Sequence, residues 1–169
     1  EENTADVRYN ALHNMLVASA KTVQIGKAIN PAFQFGCMLL HSAAYPINCK
    51  PENILITQRH NQDFNFLAGD VHVFGEYPRF AARIFEEKGV KLNILPGEAE
   101  ILKNGTVDYV TFSYYASSCM GKNDGEDGSY GNMHSGLKNP YLQASEWGWQ
   151  NDAGGLRQTR TTLYDRYRI

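Results

Sequence analysis

The sequence has no excess of charge of either sign. Its 169 residues include 16 Lys and Arg against 18 Asp and Glu, which gives a formal net charge of -2. Nucleic acids and anionic membrane surfaces attract proteins that carry a surplus of positive charge. No apolar run approaches the roughly 20 residues that a membrane-spanning helix needs. The sequence therefore predicts a protein that binds neither nucleic acid nor a membrane.

Cysteine is scarce, and its spacing matches no metal site. The three cysteines are Cys37, Cys49 and Cys119, too far apart for the paired ligands of a zinc site. An odd count fits a reducing compartment better than a disulfide framework. We therefore expect ordinary thiols in a cytoplasmic protein, with no metal and no cofactor.

The common signatures of several enzyme classes are also missing. There is no glycine-rich phosphate loop, no Gly-x-Ser-x-Gly elbow, no His-Glu-x-x-His pair and no internal repeat. Asp70 and His72 could suggest a metal pair, but two candidate ligands are too few for a closed site. Packing is the favoured role for this pair.

The most informative stretch is residues 108–117, Asp-Tyr-Val-Thr-Phe-Ser-Tyr-Tyr-Ala-Ser. Its apolar and β-branched residues favour a buried strand, and it closes on Tyr114, Tyr115 and a serine. A strand that ends in hydroxyl groups is typical of a barrel strand that delivers side chains to a site at its C-terminal end.

Two further features follow this strand. Residues 118–139 are rich in Gly, Ser, Asn and Asp and predict a long loop, which in a compact domain is usually functional or disordered. Trp147 and Trp149 then stand close together in a polar setting. Aromatic faces beside hydroxyl donors suit a sugar, because rings stack on its C–H faces while its hydroxyls need hydrogen bonds. The pattern indicates a polar pocket with aromatic walls.

The rest of the chain alternates between helical and strand patterns. The predicted elements are a helix over residues 4–29, a strand over 33–40, a helix over 51–68 that ends at Gly69, a loop over 70–78, helices over 78–88 and 96–102, and a helix from Asp152 onward.

Some polar residues on these elements allow two interpretations. His41 follows a predicted strand and could touch a substrate, although an ordinary loop histidine is favoured. His13 lies on the first helix, where a packed or solvated histidine is favoured over a catalytic one. Four arginines on the last helix could form a phosphate clamp, but their helical spacing favours a solvated outer face; they are Arg157, Arg160, Arg166 and Arg168.

The strand with its two tyrosines resembles the sixth barrel strand of the family 1 glycoside hydrolases. In that family the pattern is Asp-aromatic-aliphatic-Gly-aliphatic-Asn-Tyr-Tyr. The segments 138–141, Lys-Asn-Pro-Tyr, and 145–150, Ser-Glu-Trp-Gly-Trp-Gln, are most similar to the bacterial 6-phospho-β-glucosidase branch. The resemblance also runs through residues 30–38, 45–46 and 70–78, and so covers nearly the whole chain.

The resemblance implies an α/β fold, namely a partial TIM (β/α)8 barrel with parallel strands and long βα loops. A complete barrel needs about 250 residues or more, whereas this chain has 169. We therefore expect residues 1–169 to be a fragment of a single glycosidase barrel. By the family pattern it runs from the helix after strand four through the helix after strand six.

The family hydrolyses β-glycosides with retention, using two carboxylates about 5–5.5 Å apart. Its acid/base glutamate belongs to an Asn-Glu motif and its nucleophile to a Glu-Asn-Gly motif, and neither motif occurs here. The resemblance therefore places no catalytic residue within the chain. It makes Tyr115 the tyrosine that hydrogen-bonds the nucleophile and Trp149 the wall of the aglycone side.

Other positions depart from the family pattern. Ser113 stands where the wider family has asparagine, and Trp147 where methionine is common; both are expected in the substrate-binding site. Thr111 replaces a glycine and Ala153 a proline, which affects local geometry more than function.

The resemblance thus predicts part of a 6-phospho-β-glucosidase that binds a phosphorylated β-glucoside or disaccharide. The alternative is a non-catalytic carbohydrate-binding or interaction protein derived from the barrel. In either case we expect the chain alone to be inactive as a glycosidase and to self-associate, because an incomplete barrel exposes strand edges.

Overall fold

The computed structural model describes residues 3–122 and 136–169. The elements in these ranges, in chain order, are helix α1 (Ala5–Ile29), strands β1 (Gly36–Leu40) and β2 (Ala44–Pro46), helix α2 (Pro51–His60), a π-helix (Asn61–Phe66), helices α3 (Leu67–Phe74), α4 (Arg79–Glu87) and α5 (Glu98–Asn104), strands β3 (Tyr109–Ser113) and β4 (Ser118–Met120), and helix α6 (Ala153–Tyr167). They belong to two compact units.

The first unit comprises residues 3–39 and 66–111, together with residue 169. It begins with α1, whose start agrees with the prediction: the Thr4 hydroxyl caps the helix by accepting a hydrogen bond from the Val7 N–H at 3.3 Å. The helix ends at Asn30, just before Pro31.

Three helices of this unit share one apolar core. Its buried members come from α1, α3 and α5 and are Leu16, Val17, Ala20, Val71 and Leu102. Gly105 lies against the backbone of Ala20, so closely that a Cβ at this position would clash with it. The close approach explains why the chain turns on a glycine directly after α5.

A buried polar cluster connects α1 with α5. His13 is fully buried, with its two ring nitrogens 3.0 Å from the Tyr77 hydroxyl and 3.1 Å from a Glu98 carboxylate oxygen. The Leu95 N–H donates to the same Glu98 oxygen at 2.7 Å, and this bond, followed by the one from His13, holds the pKa of Glu98 below its usual value. His13 is therefore a packed histidine with a structural role, as the sequence favoured.

The end of the second predicted helix was placed wrongly. Gly69 does not stop it, because the helical backbone continues through the π-helix into α3. This helix ends at Gly75, whose φ is 70°. Gly69 is buried inside α3, where a glycine is tolerated in a packed helix despite its low propensity. The predicted loop over 70–78 is thus largely helical, and Val71 belongs to the core.

The second unit comprises residues 40–65, 112–122 and 136–168 among those described. Its parallel pair β2–β4 aligns Ala44 with Ser118, Tyr45 with Cys119 and Pro46 with Met120. All three β4 residues are buried. A strand therefore occupies the start of the region predicted as one long loop, and residues 123–135 of that region lie outside the described residues.

Strands β1 and β3 form the other two-stranded sheet. At one end the Asp108 N–H donates to the Phe35 carbonyl at 2.7 Å, and at the other the His41 N–H donates to the Ser113 carbonyl at 3.0 Å. Because the partners follow the same order along both strands, the pair is parallel. Both strands contribute residues to both units.

No helix within the described ranges is long and apolar enough to cross a membrane.

Candidate substrate-binding site

The candidate site begins where β3 ends. The strand finishes at Ser113, which is half-buried and whose carbonyl accepts the hydrogen bond from His41. Tyr114 and Tyr115 follow directly after the strand. Tyr114 is half-buried, whereas Tyr115 is 54% exposed. Tyr115 is thus the more accessible of the two tyrosines to a ligand or a neighbouring side chain.

Tyr114 is held by the start of α6. Its hydroxyl donates to the backbone carbonyl of Asp152 at 3.0 Å. Tyr45, on β2, donates to the carboxylate of the same aspartate at 2.9 Å. The other carboxylate oxygen of Asp152 accepts the Gly155 N–H at 2.7 Å and so caps α6. One residue therefore connects β2, the end of β3 and the first turn of α6.

The surroundings of Asp152 keep its carboxylate charged. Burial raises its pKa, but the nearby donors outweigh this and hold the pKa below its usual value; first among them is the Ser117 hydroxyl, followed by the Gly155 N–H and the Tyr45 hydroxyl. Ser117 Oγ is buried and makes no hydrogen bond of regular geometry. It affects the pKa of Asp152 because it lies close to the carboxylate. Burial, together with the charge of Asp152, also raises the pKa of Tyr114 to about 12, which keeps this hydroxyl a donor at neutral pH.

The two tryptophans lie on one tight turn. The Gly148 N–H donates to the Ser145 carbonyl at 2.9 Å and the Ser145 N–H to the Trp149 carbonyl at 2.8 Å. Gly148 has a φ of 80°, a conformation that glycine adopts without strain. The turn leaves Trp147 at its tip with 83% of its surface exposed, while Trp149 is half-buried at its base.

Gln150 fixes the base of this turn to the preceding segment. It is buried, its side-chain oxygen accepts the Asn139 N–H at 2.9 Å, and its amide donates to the Asn139 carbonyl at 2.8 Å. A further bridge pairs Ala144 with Gln150. The backbone on both sides of the turn is therefore hydrogen-bonded, whereas its tip projects outward.

The structure brings Tyr115 and Trp149 together. Their ring centroids are 5.9 Å apart with an interplanar angle of 54°, a tilted geometry within the favourable range for aromatic pairs. Of the four residues predicted for the site, these two are therefore in contact. Ser113 is the last residue of β3, two positions before Tyr115. Trp147 lies at the exposed tip of the same turn as Trp149.

His41 is not part of this pair. It is buried, its Nδ1 lies 3.2 Å from the Thr159 hydroxyl on α6, and burial lowers its pKa to about 4. The imidazole is therefore neutral at pH 7 and packs against a helix, in agreement with the favoured interpretation. On α6, Arg157 and Arg160 are exposed and Arg166 is half-buried, while Arg168 is exposed just after the helix ends.

Sequence reasoning missed the residues that support the site. Asp152 was identified only as the point where a helix starts, and neither Tyr45 nor Gln150 was among the predicted site residues. A signal was available at Gly154 and Gly155, because two glycines in the first turn of a helix are unfavourable unless something approaches the backbone closely. A Cβ on Gly155 would clash with the Tyr114 hydroxyl and lie 2.5 Å from Asp152 Oδ2.

The geometry offers a hydroxyl donor beside two aromatic faces. The Tyr115 hydroxyl can donate or accept a hydrogen bond, and the ring of Trp149 can stack on a sugar or an aryl group. The arrangement can therefore bind and orient a sugar derivative.

The model of glycosyl hydrolase family 1 matches residues 1–169. The chain therefore belongs to this family. The 6-phospho-beta-glucosidase AscB of Escherichia coli (strain K12) is 47% identical to it over 98% of this chain and 35% of that protein. The aryl-phospho-beta-D-glucosidase BglA of Bacillus subtilis (strain 168) is 43% identical over 99% of this chain and 36% of that protein. The chain spans about a third of the length of the curated relatives it matches.

Solved structures agree on the fold. The psychrophilic beta-glucosidase BglU of Micrococcus antarcticus superposes with a TM-score of 0.77 at 20% identity, over 94% of this chain and 37% of that one. The virulence factor SghA, in complex with its substrate analogue salicin, gives a TM-score of 0.74 at 21% identity, over 94% of this chain and 34% of that one. The predicted fold class, part of a TIM (β/α)8 barrel with parallel strands, is thereby confirmed.

Proposed function

We propose that the chain is part of a retaining β-glycosidase that hydrolyses 6-phospho-β-glucosides, and that it contributes pocket residues but neither catalytic glutamate. The observation that carries the proposal is the Tyr115–Trp149 contact at the end of β3. Relatives named as 6-phospho-β-glucosidases and aryl-phospho-β-glucosidases at 41–47% identity support the phosphorylated substrate.

In this proposal each site residue has a distinct role. The Tyr115 hydroxyl hydrogen-bonds the nucleophilic carboxylate, which another part of the barrel supplies, and steers it toward the anomeric carbon. Trp149 walls the aglycone side, Trp147 extends that wall outward, and Ser113 takes the place of the family's asparagine. The retaining reaction then proceeds through a glycosyl-enzyme intermediate that water hydrolyses.

The first prediction is that the 169-residue chain alone does not hydrolyse nitrophenyl 6-phospho-β-glucoside. Both carboxylate motifs are absent from its sequence, and losing such groups removes several powers of ten in rate. Nitrophenol release by the purified chain should match the rate without protein. The control is a longer polypeptide that contains the chain and completes the barrel, which should release nitrophenol from the phosphorylated substrate and much less from its unphosphorylated analogue.

Two results would contradict the proposal. Hydrolysis by the chain alone at near-enzyme rates would mean that its own residues carry the chemistry. A longer polypeptide that binds phosphorylated glucosides without hydrolysing them would favour the alternative, a non-catalytic carbohydrate-binding protein. No contact among the described residues specifically supports that alternative.

The second prediction concerns Tyr115→Phe in that longer polypeptide. Removing the hydroxyl frees the nucleophile to move, and a misplacement of about 1 Å costs on the order of 10²-fold in rate. We therefore expect kcat to fall on this scale while KM changes little. The measurement is steady-state kinetics on the nitrophenyl substrate.

Tyr164→Phe is the matched control for Tyr115→Phe. Tyr164 lies on α6 with 75% of its surface exposed, so removal of its hydroxyl should leave both kinetic constants unchanged. An unchanged kcat in Tyr115→Phe would refute the role assigned to this tyrosine.

A further inference from the structure

The contact between Tyr115 and Trp149 is accompanied by a second link between the same two chain segments. One segment holds Tyr114 and Tyr115 after β3, and the other runs from Trp149 to Asp152. The ring contact joins Tyr115 to Trp149, while the second link is the 3.0 Å hydrogen bond from the Tyr114 hydroxyl to the Asp152 carbonyl. The position of Asp152 is therefore tied to the segment that carries Tyr115.

Asp152 is itself fixed from two directions. Its carboxylate oxygens accept the Tyr45 hydroxyl at 2.9 Å and the Gly155 N–H at 2.7 Å. The second bond is an ordinary helix cap, which many residues can make. The first reaches sideways to β2, and a shorter side chain such as serine cannot make it.

The side chains of Tyr114 and Asp152 pack closely against the first turn of α6. Gly155 is buried beneath the Tyr114 hydroxyl and the carboxylate of Asp152, with no space for a Cβ. A close approach of this kind fixes the position of the tyrosine relative to the first turn of α6. A residue that only caps a helix does not need such close packing against a tyrosine.

We propose that Asp152 is a positioning residue: together with Tyr45 and Tyr114 it holds Trp149 against Tyr115 and thereby fixes the aromatic wall of the binding site. The three residues form a clamp, hereafter the Asp152 clamp. The role of the wall in binding an aglycone rests on the proposed function, whereas the clamp itself is a statement about this chain and is tested without any substrate.

The test measures the mobility of Trp149 in the 169-residue chain. The sequence has two tryptophans, so Trp147→Phe leaves Trp149 as the single reporter, and the phenylalanine sits at an exposed turn tip. In this background Asp152→Ser and Tyr45→Phe are compared by acrylamide quenching and by fluorescence anisotropy, well below the melting temperature.

Serine caps helices about as well as aspartate but cannot reach Tyr45. If the clamp positions Trp149, both variants raise quenching and lower anisotropy, because losing one hydrogen bond of ordinary strength shifts a local opening equilibrium about fivefold. Tyr164→Phe, the exposed tyrosine on α6, should change neither signal.

A purely structural cap gives a different pattern. If Asp152 only caps α6, serine restores the parental quenching and anisotropy, and Tyr45→Phe changes nothing; this result overturns the inference. Neither reading depends on hydrolysis. Failure of the clamp would leave the proposed activity standing, and loss of the proposed activity would leave the clamp intact.

Discussion

At the residue scale, two adjacent glycines in the first turn of α6 have opposite surroundings. Gly154 is exposed, and a Cβ there would lie 3.3 Å from Asp152 Oδ1. Gly155 is buried, and a Cβ there would meet the Tyr114 hydroxyl. Neither position has a positive φ, so the difference between them is one of space rather than backbone conformation.

The pair gives the third prediction. Gly155→Ala should destabilise the chain by about 1–3 kcal/mol, because inserting a methyl group into a filled site forces its neighbours apart. Gly154→Ala is the matched control and should range from no change to a gain of about 1 kcal/mol, since alanine has the higher helix propensity. Urea unfolding followed by circular dichroism measures both. Equal effects at the two positions would show that the space beneath Tyr114 can relax.

At the element scale, the π-helix places Asn65 where it can serve the backbone of a loop. The Asn65 side-chain oxygen accepts the Ser42 N–H at 3.1 Å, and its amide donates to the Ser42 carbonyl at 2.9 Å. Both residues are buried. An extra residue per turn rotates the side chains that follow it, so the irregular helix brings the amide to the segment between β1 and β2.

The fourth prediction is that Asn65→Ala costs about 3 kcal/mol, because it leaves two buried backbone groups of Ser42 without partners. Asn61→Ala is the control: Asn61 accepts from the Asn65 amide at 2.7 Å but does not support Ser42. Its loss should cost about 1 kcal/mol or less. A cost of that size for Asn65→Ala as well would mean that water replaces the amide at Ser42.

These elements also show how far the sequence predicts the structure. The first helix was predicted closely, because Thr4 and Asn30-Pro31 are local signals. The end of α3 was not, because burial of Gly69 and Val71 decides it and burial depends on distant residues. Strand β4 was missed for the same reason. Ser118 and Cys119 show no strand pattern in the sequence, and they form a strand because they pair with β2.

The site divides along the same line. Tyr115 and Trp149 were predicted from a motif, and their rings are in contact. Asp152 and Tyr45 were missed as a pair because they stand 107 positions apart in the sequence, and neither type of residue signals its partner. Their roles follow only from the fold.

At the scale of the whole molecule, apolar surface on β1 is open to solvent. Met38 lies on this strand with 67% of its surface exposed, and Tyr109 on β3 is exposed as well. In the described parts of the chain both sheets have two strands, so β1 and β3 each have an edge without a neighbouring strand, whereas β4 also pairs with Leu137. Exposed edges with apolar faces are templates for association.

The fifth prediction is that the chain self-associates at micromolar concentration through this surface. Met38→Glu should reduce the associated fraction, because a charge on the apolar face opposes pairing between copies. Met15→Glu is the matched control: Met15 is 69% exposed and lies on the helix α1 rather than on a strand, and its replacement should leave association unchanged. Light scattering of the three proteins decides the question. A stable monomer that unfolds cooperatively and binds no apolar dye would show that the strand edges do not cause association.

The turn that carries Trp147 has a consequence for how this site could diversify. Gln150 and the bonds around Ser145 and Gly148 secure its base, while Glu146 and Trp147 at its tip are exposed. Selection can therefore exchange these two residues with little effect on folding, since exposed substitutions away from special features change stability by about 0.5 kcal/mol or less. If the proposed function holds, point mutations at these two positions would change the leaving-group preference and leave the fold of the turn unchanged.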